Sequence, residues 1–151
     1  MHKGRSCQLR KGRISQRQQI YHLRFSTHNR QRFTDFHQLC LVSRQINQTI
    51  TDNDFKMLCW VLMPDHVHLL VQQLTDELSI SLLVQRIKRN CSVHLNECYG
   101  TRQWWLRGYF DRAVRHDQSV EETARYIIGN PIRAKLVTRV EDYSFWNAEW
   151  L

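Results

Sequence analysis

Apolar and polar residues alternate near the start of the chain, between residues 19 and 27. Tyr21, Leu23 and Phe25 fall on one side of that segment, and this period of two is typical of a half-buried strand. The other side of the predicted strand carries Ile20, His22, Arg24 and Ser26.

Two later segments repeat their apolar residues every three or four positions, as amphipathic helices do. The first helix is predicted from Asp35, which can cap it, to about Thr51, with Leu39, Val42, Ile46 and Ile50 on its buried face. The second is predicted from Leu78 to about Cys98, with Leu82, Leu83, Ile87, Cys91 and Leu95 buried and Gly100 at its end.

The remaining elements are shorter. Residues 55–63 and 66–74 are predicted to pair as a hairpin, because Pro64 and Asp65 between them favour a turn. A fourth strand is expected within residues 104–115. Ser119 and Glu122 have capping-box spacing and predict a third helix, which runs to about Gly129 and is stopped by Pro131.

The element order β, α, β, β, α, β, α favours an α+β fold, a ferredoxin-like sandwich with helices on one face of an antiparallel sheet. Residues 132–151 are interpreted as a short tail. We expect two parts: a basic arm over residues 1–18 and one domain over residues 19–151.

Positive charge is concentrated near the start of the chain, in the arm and the segment that follows it. The chain has 22 Lys and Arg against 14 Asp and Glu, a net charge of +8, and residues 1–34 hold nine basic residues and no acid. Such a block is either a solvated tail or an arm that follows nucleic-acid phosphates, and we favour the second interpretation. The arm residues predicted to contact DNA are Arg10, Lys11, Arg13 and Arg17.

Composition excludes several classes. The chain is 42% hydrophobic with 5 Gly and 2 Pro, which argues against a disordered or collagen-like protein. The longest apolar run, residues 57–63, is too short to span a membrane, and no secretory signal is apparent. Five cysteines without a CxxC pair indicate reduced thiols, so we expect a cytoplasmic, nucleoid-associated protein with no membrane partner.

Two histidines mark a candidate metal site. His66 and His68 are two apart in a predicted strand, so both imidazoles leave the same face, and imidazole is a common ligand for divalent cations. The pair could also be two unrelated histidines, and zinc would normally require further ligands.

A second pair lies in the third predicted helix. Tyr126 and Asn130 are four residues apart and share a helix face. A phenol can act as a nucleophile, and an amide carbonyl can bind a hard cation. The alternative is a packed tyrosine ring and an asparagine that caps the helix.

Together these segments resemble a known family. Residues 60–71, WVLMPDHVHLLV, resemble the His-hydrophobic-His motif of single-tyrosine HUH transposases. Residues 126–137, YIIGNPIRAKLV, resemble the corresponding region of the REP-associated tyrosine transposases, as do residues 21–23, 32–33 and 108–115. The resemblance spans about residues 19–137, and Asp65 departs from it where Asn is common.

The resemblance implies a ferredoxin-like HUH domain whose C-terminal helix carries the catalytic tyrosine. It implies an enzyme that cleaves and rejoins single-stranded DNA hairpins of the repetitive extragenic palindromic (REP) type, through a 5′-phosphotyrosine. Tyr126 would be the nucleophile, and His66, His68 and Asn130 would hold Mg²⁺ or Mn²⁺. A monomer is favoured over a dimer. A non-catalytic hairpin-binding protein and a metal protein of another kind are the alternatives.

Further basic residues are weaker candidates for DNA contacts. Lys88 and Arg89 could grip a hairpin stem, and Arg112 and Arg115 could contact phosphates, although a solvated charged surface explains them equally well. The other histidines lack a partner pattern and are treated as background: His22, His28, His37, His94 and His116. The base that deprotonates the tyrosine is not identified by the sequence.

Overall fold

The computed structural model describes residues 18–115 and 118–150. Its centre is a five-stranded antiparallel sheet with the strand order β4-β1-β3-β2-β5. The strands are β1 (Ile20–Ser26), β2 (Phe55–Leu62), β3 (His66–Gln73), β4 (Phe110–Val114) and β5 (Trp146–Ala148).

The described residues also form four α-helices: α1 (Phe36–Asp52), α2 (Ile80–Tyr99), α3 (Gln118–Ile128) and the short α4 (Asn130–Arg133). The succession β1-α1-β2-β3-α2-β4 with the order 4-1-3-2 is the ferredoxin-like arrangement, so the predicted α+β fold class is confirmed. Asp35 caps α1 as predicted, because its side chain accepts a hydrogen bond from the backbone of Gln38 at 2.8 Å.

One face of the sheet is covered by α1 and α2. The buried residues there come from alternate strand positions, such as Leu23 in β1 and Val67 in β3, and from the helix faces, such as Ile46 and Ile87. This is the larger apolar cluster, and it supplies the rigid platform on which the opposite face is built.

The opposite face is covered by α3, so the prediction that all helices lie on one face is wrong. Ile20, Val61 and Leu70 are buried on this side against Ala124 and Ile127 of α3. The strands are apolar on both faces, which requires a layer on each side. The half-buried interpretation of β1 fails for the same reason, because Ile20 and His22 are also buried.

Two further predictions are corrected. Ser119 lies inside α3 and does not cap it, because the helix already includes Gln118. Pro131 does not directly end α3: the helix ends at Ile128, and Pro131 sits in the first turn of α4, where a missing N–H costs nothing.

The predicted tail is part of the sheet. β5 pairs with β2, and the Tyr143 hydroxyl donates a hydrogen bond to the Leu62 carbonyl at 2.6 Å. Three strand residues are too few for a periodic signal, so the pairing was not visible in the sequence.

None of the described helices is long and apolar enough to cross a membrane. Cys40, Cys59, Cys91 and Cys98 are free thiols. The arm residues Arg10, Lys11, Arg13 and Arg17 lie outside the described residues, so their contact with DNA stays a prediction.

Candidate active site

Strand β3 presents two histidines on the α3 side of the sheet. His66 and His68 point to the same face, as predicted, and their ring centroids are 5.1 Å apart. Val67, between them, is buried in the opposite apolar cluster. The alternation of the strand therefore separates the imidazoles from the main core.

Each of these imidazoles has a partner at Nδ1. His66 Nδ1 donates to the Asp65 carboxylate at 2.7 Å, and His68 Nδ1 is 2.9 Å from Nε2 of His22 on β1. A carboxylate or second ring at Nδ1 orients an imidazole and leaves its Nε2 for a ligand, as in many metal sites.

The surroundings favour neutral rings. Burial, followed by the charges of Arg112 and Arg24, lowers the pKa of His22 to about 4. Burial also lowers the pKa of His68 to about 2, with smaller contributions from the neighbouring histidines and arginines. Neutral imidazole is the form that binds a metal ion.

Helix α3 brings Tyr126 to the same place. Its ring centroid lies 6.3 Å from that of His68 and 6.4 Å from that of His22. The residue is 52% exposed, so its phenol is open to a substrate. Helix α3 therefore docks beside the histidine face of the sheet.

The prediction that Asn130 shares one helix with Tyr126 is wrong, because α3 ends at Ile128 and Asn130 begins α4 directly after Gly129. Its side-chain amide donates to the Ile127 carbonyl at 3.1 Å and to the Tyr126 carbonyl at 3.4 Å. The amide group is thus anchored to the end of the helix that carries Tyr126, and its service as a metal ligand stays a prediction.

The residues present fit a divalent cation with open positions. Within residues 18–115 and 118–150, no group of three or more His, Cys, Asp or Glu side chains could hold a metal ion. Two imidazole nitrogens therefore need oxygen ligands from another source, such as the Asn130 carbonyl, water or phosphate. Such a mixed set differs from the closed sites of structural zinc, and its imidazoles favour Mn²⁺ over Mg²⁺, which prefers oxygen ligands.

A cavity of about 610 Å³ opens beside the tyrosine. Arg24 and Arg112 contribute positive charge to its wall, and Arg112 donates a hydrogen bond to the Thr123 hydroxyl at 3.3 Å. Its lining residues are His22, Arg24, His68, Phe110, Arg112, Ser119, Glu122, Thr123 and Tyr126. A concave, basic site of this size is suited to a nucleotide segment.

The other predicted basic residues are placed differently. Lys88 donates from its ammonium to the Leu106 and Gly108 carbonyls, at 2.8 and 2.6 Å. It belongs to α2, on the far side of the sheet from the cavity, where Arg89 is exposed. Arg115 is exposed just beyond β4. DNA contacts by these three residues stay predictions.

The contribution of β1 to the site was not predicted from the sequence. His22 and Arg24 were on the correct shared face, but nothing in the sequence paired them with His68. The pairing depends on the register of β1 with β3, in which Arg24 lies opposite His68 and His22 opposite Leu70. The guanidinium of Arg133 lies over the Tyr126 ring, and the sequence did not predict this contact either.

Comparisons with known proteins agree with this geometry. The model of the family described as "Transposase IS200 like" matches residues 15–130, more than half of the chain. A Haemophilus influenzae protein assigned as a REP-associated tyrosine transposase is 24% identical over 108 residues, covering 65% of this chain and 61% of the relative. A REP-associated tyrosine transposase of Escherichia coli is 23% identical over 94 residues, covering 62% of this chain and 54% of the relative. The chain thus spans less than two thirds of the curated relatives it matches.

Solved structures share the fold. A REP-associated tyrosine transposase bound to a REP hairpin superposes with a TM-score of 0.76 at 20% identity, covering 89% of this chain and 79% of that one. A crystal structure of a protein assigned as a transposase from Deinococcus radiodurans gives 0.57 at 20% identity, covering 80% and 95%. The resemblance seen in the sequence is confirmed, and the chain belongs to the IS200-like transposase family.

Proposed function

We propose that this chain cleaves and rejoins single-stranded DNA folded into REP-type hairpins, with Tyr126 as the nucleophile. The observation that carries the proposal is the position of one exposed phenol, whose ring lies 6.3 Å from that of His68 on the wall of a basic cavity. A nucleophile beside imidazole ligands and arginines is the equipment that phosphoryl transfer requires.

We propose His66, His68 and Asn130 as ligands of one Mg²⁺ or Mn²⁺ ion. When bound, the ion would polarise the scissile phosphate and orient it for in-line attack. Asp65 and His22 support the two imidazoles through Nδ1, at 2.7 and 2.9 Å.

The chemistry itself belongs to Tyr126. Its hydroxyl oxygen forms a bond to phosphorus while the bond from phosphorus to the 3′-oxygen breaks. The tyrosine hydroxyl gives up its proton to solvent and the departing 3′-oxygen takes one up, so the products are a 5′-phosphotyrosine and a free 3′-hydroxyl. Attack by a 3′-hydroxyl on the phosphotyrosine reverses the step and reseals the strand, so no nucleotide cofactor is needed.

The arginines of the site would handle the charge of the phosphate. Arg24 and Arg112 line the cavity, and their guanidinium groups can donate paired hydrogen bonds to phosphate oxygens. Their placement beside the nucleophile would hold the scissile phosphate in reach of Tyr126 and offset the charge that develops during attack.

The proposed partner is a single-stranded DNA hairpin. The solved relative described as bound to a REP hairpin has the same fold, and the net charge of +8 supports an anionic partner. We propose that the chain acts as a monomer at the nucleoid, in the cytoplasm.

The test is incubation of the protein with labelled hairpins from the source genome and Mg²⁺ or Mn²⁺, followed by a denaturing gel. We expect a protein–DNA adduct and a shortened strand that ends in a 3′-hydroxyl. Tight hairpin binding without an adduct on any hairpin would instead support a DNA-binding protein derived from a transposase.

A further inference from the structure

One histidine of the site is neither a proposed metal ligand nor the nucleophile. His22 lies on β1, is 6% exposed, and places its Nε2 2.9 Å from Nδ1 of His68. The two rings are stacked, with centroids 5.1 Å apart and planes 25° apart. This is a direct bond between two buried imidazoles, and it needs a chemical account.

We propose that His22 is a positioning residue that holds His68 in the tautomer whose Nε2 is free to bind the divalent cation. The inference rests on the metal site of the proposed function. It assigns to β1 a role that neither the His-x-His spacing nor the tyrosine helix provides.

The argument starts from the proton between the two rings. A neutral imidazole carries one N–H and one bare nitrogen, so only one of the two rings can donate in this bond. If His68 donates from Nδ1, its Nε2 has a lone pair for a metal. If His22 donates from Nε2, the proton of His68 sits on its own Nε2 and blocks coordination.

His66 shows the contrast. Its Nδ1 faces the Asp65 carboxylate at 2.7 Å, and an ionised carboxylate can only accept. Its tautomer is therefore fixed by a charge. At His68 the group that faces Nδ1 is the Nε2 of His22, and as long as that nitrogen accepts, the proton stays on His68 Nδ1 and leaves Nε2 free.

The position of the His22 ring is fixed by its neighbours. Phe110 packs edge-on with its centroid 5.9 Å away, and Tyr126 packs edge-on at 6.4 Å. These contacts keep the Nε2 of His22 directed at the Nδ1 of His68.

Two matched substitutions separate hydrogen bonding from packing. His22→Gln places an amide oxygen at about the reach of Nε2 and can accept the same proton. His22→Met has similar length and volume and cannot do so. Thermal unfolding of both variants reports whether the fold is kept.

The first readout uses metal-free protein labelled with ¹⁵N in histidine. We expect NMR to detect a scalar coupling across the bond between His68 Nδ1 and His22 Nε2, and, with Mg²⁺ added, a proton that stays on His68 Nδ1. This readout needs only the wild type, so it holds even where a variant fails to fold. Absence of the coupling, or a proton on His68 Nε2 with Mg²⁺ bound, would overturn the proposal.

The second readout is the affinity for Mn²⁺ in the absence of DNA. Electron paramagnetic resonance measures the concentration of free Mn²⁺ during the titration. We expect His22→Met to bind Mn²⁺ about 10- to 100-fold more weakly and His22→Gln to bind within a few-fold of wild type. Equal affinity of the Met variant and wild type would overturn the proposal, as would a wild type that binds no Mn²⁺.

A denaturing gel then separates a failure of the proposed reaction from a failure of the positioning role of His22. Excess Mn²⁺ should restore adduct formation by His22→Met, because the nucleophile is untouched. If wild type binds Mn²⁺ in the His22-dependent way yet forms no adduct, the proposed reaction fails and the positioning role of His22 stands.

Discussion

The guanidinium of Arg133 lies over the ring of Tyr126, with its central carbon 4.1 Å from the ring centroid. The same guanidinium donates a hydrogen bond to the backbone carbonyl of Tyr126. Arg133 reaches back to Tyr126 because α3 ends at Ile128 and α4 begins at Asn130, directly after Gly129. An added Cβ at Gly129 would lie 2.8 Å from the guanidinium of Arg133. A glycine at this position therefore leaves room for the guanidinium beside Tyr126.

We therefore expect Arg133 to hold the nucleophile and stabilise negative charge near it. Arg133→Met keeps the length of the side chain and removes its charge, and should slow adduct formation roughly 2- to 5-fold, as the loss of an exposed cation–π contact of roughly 0.5–1 kcal/mol implies. Arg133→Lys should form the adduct at a rate between those of wild type and Arg133→Met, because lysine keeps a charge and loses the planar stack on the ring. Single-turnover rates on a denaturing gel measure this, and a Met variant as fast as wild type would exclude the role.

Much of this site followed from local pattern. The same-face placement of His66 and His68 needs only the period of a strand. Tyr126 and Asn130 are four residues apart, but a break at Gly129 places them in two helices, and a hydrogen bond from the Asn130 amide to the Tyr126 carbonyl joins them. The α1 cap at Asp35 and the β2–β3 hairpin likewise depend on neighbours in sequence. Local physics decides these features, so one sequence suffices.

The missing parts depend on contacts that are distant in sequence. His22 meets His68 across 46 positions, through the pairing of β1 with β3. Tyr143 bonds to Leu62 across 81 positions, next to the edge of the sheet where β5 pairs with β2. The placement of α3 on the second face follows from how much apolar surface all the strands leave uncovered, which no single segment reveals.

The metal requirement is tested at His68. His68→Ala should abolish cleavage at ordinary Mn²⁺ or Mg²⁺ concentrations and leave hairpin affinity intact. Asn130→Ala should be milder, because water can replace one oxygen ligand of a hard cation. His94→Ala is the control, since His94 lies on α2 and bonds within its own helix, to the Asn90 carbonyl at 2.9 Å. Full activity of the His68 variant with a chelator present would remove the metal from the mechanism.

The basic arm is tested by truncation after Arg17. Gln18 should be kept, because its backbone N–H donates to the Gln73 carbonyl at 2.6 Å. Loss of the arm should weaken hairpin binding and reduce the slope of log K against log salt by roughly one unit per lost phosphate contact. Binding titrations at several salt concentrations measure the slope. An unchanged slope would show that the arm does not contact DNA.

Burial of Cys59 gives a prediction about pH. The thiol is fully buried between the sheet and α3, and burial raises its pKa to about 12 from an ordinary value of 9.0. A raised pKa in the folded state stabilises the fold below about pH 9, and this contribution is lost as the pH rises towards 12. At pH 8, alkylation of Cys59 in native protein should be at least about 100-fold slower than that of exposed Cys98. Mass spectrometry of the labelled peptides decides this, and equal labelling rates would contradict the burial.

The central claim is that Tyr126 forms the covalent bond to DNA, and one comparison tests it most directly. Wild type, Tyr126→Phe and the control Tyr99→Phe are incubated with the same labelled hairpin and Mn²⁺, and the products are separated on a denaturing gel. Tyr99 is a suitable control because its hydroxyl bonds to Asp35 and His37, away from the cavity. We predict an adduct for wild type and the control and none for Tyr126→Phe, with hairpin affinity equal in all three. An adduct formed by Tyr126→Phe at the wild-type rate would place the nucleophile elsewhere and contradict the account.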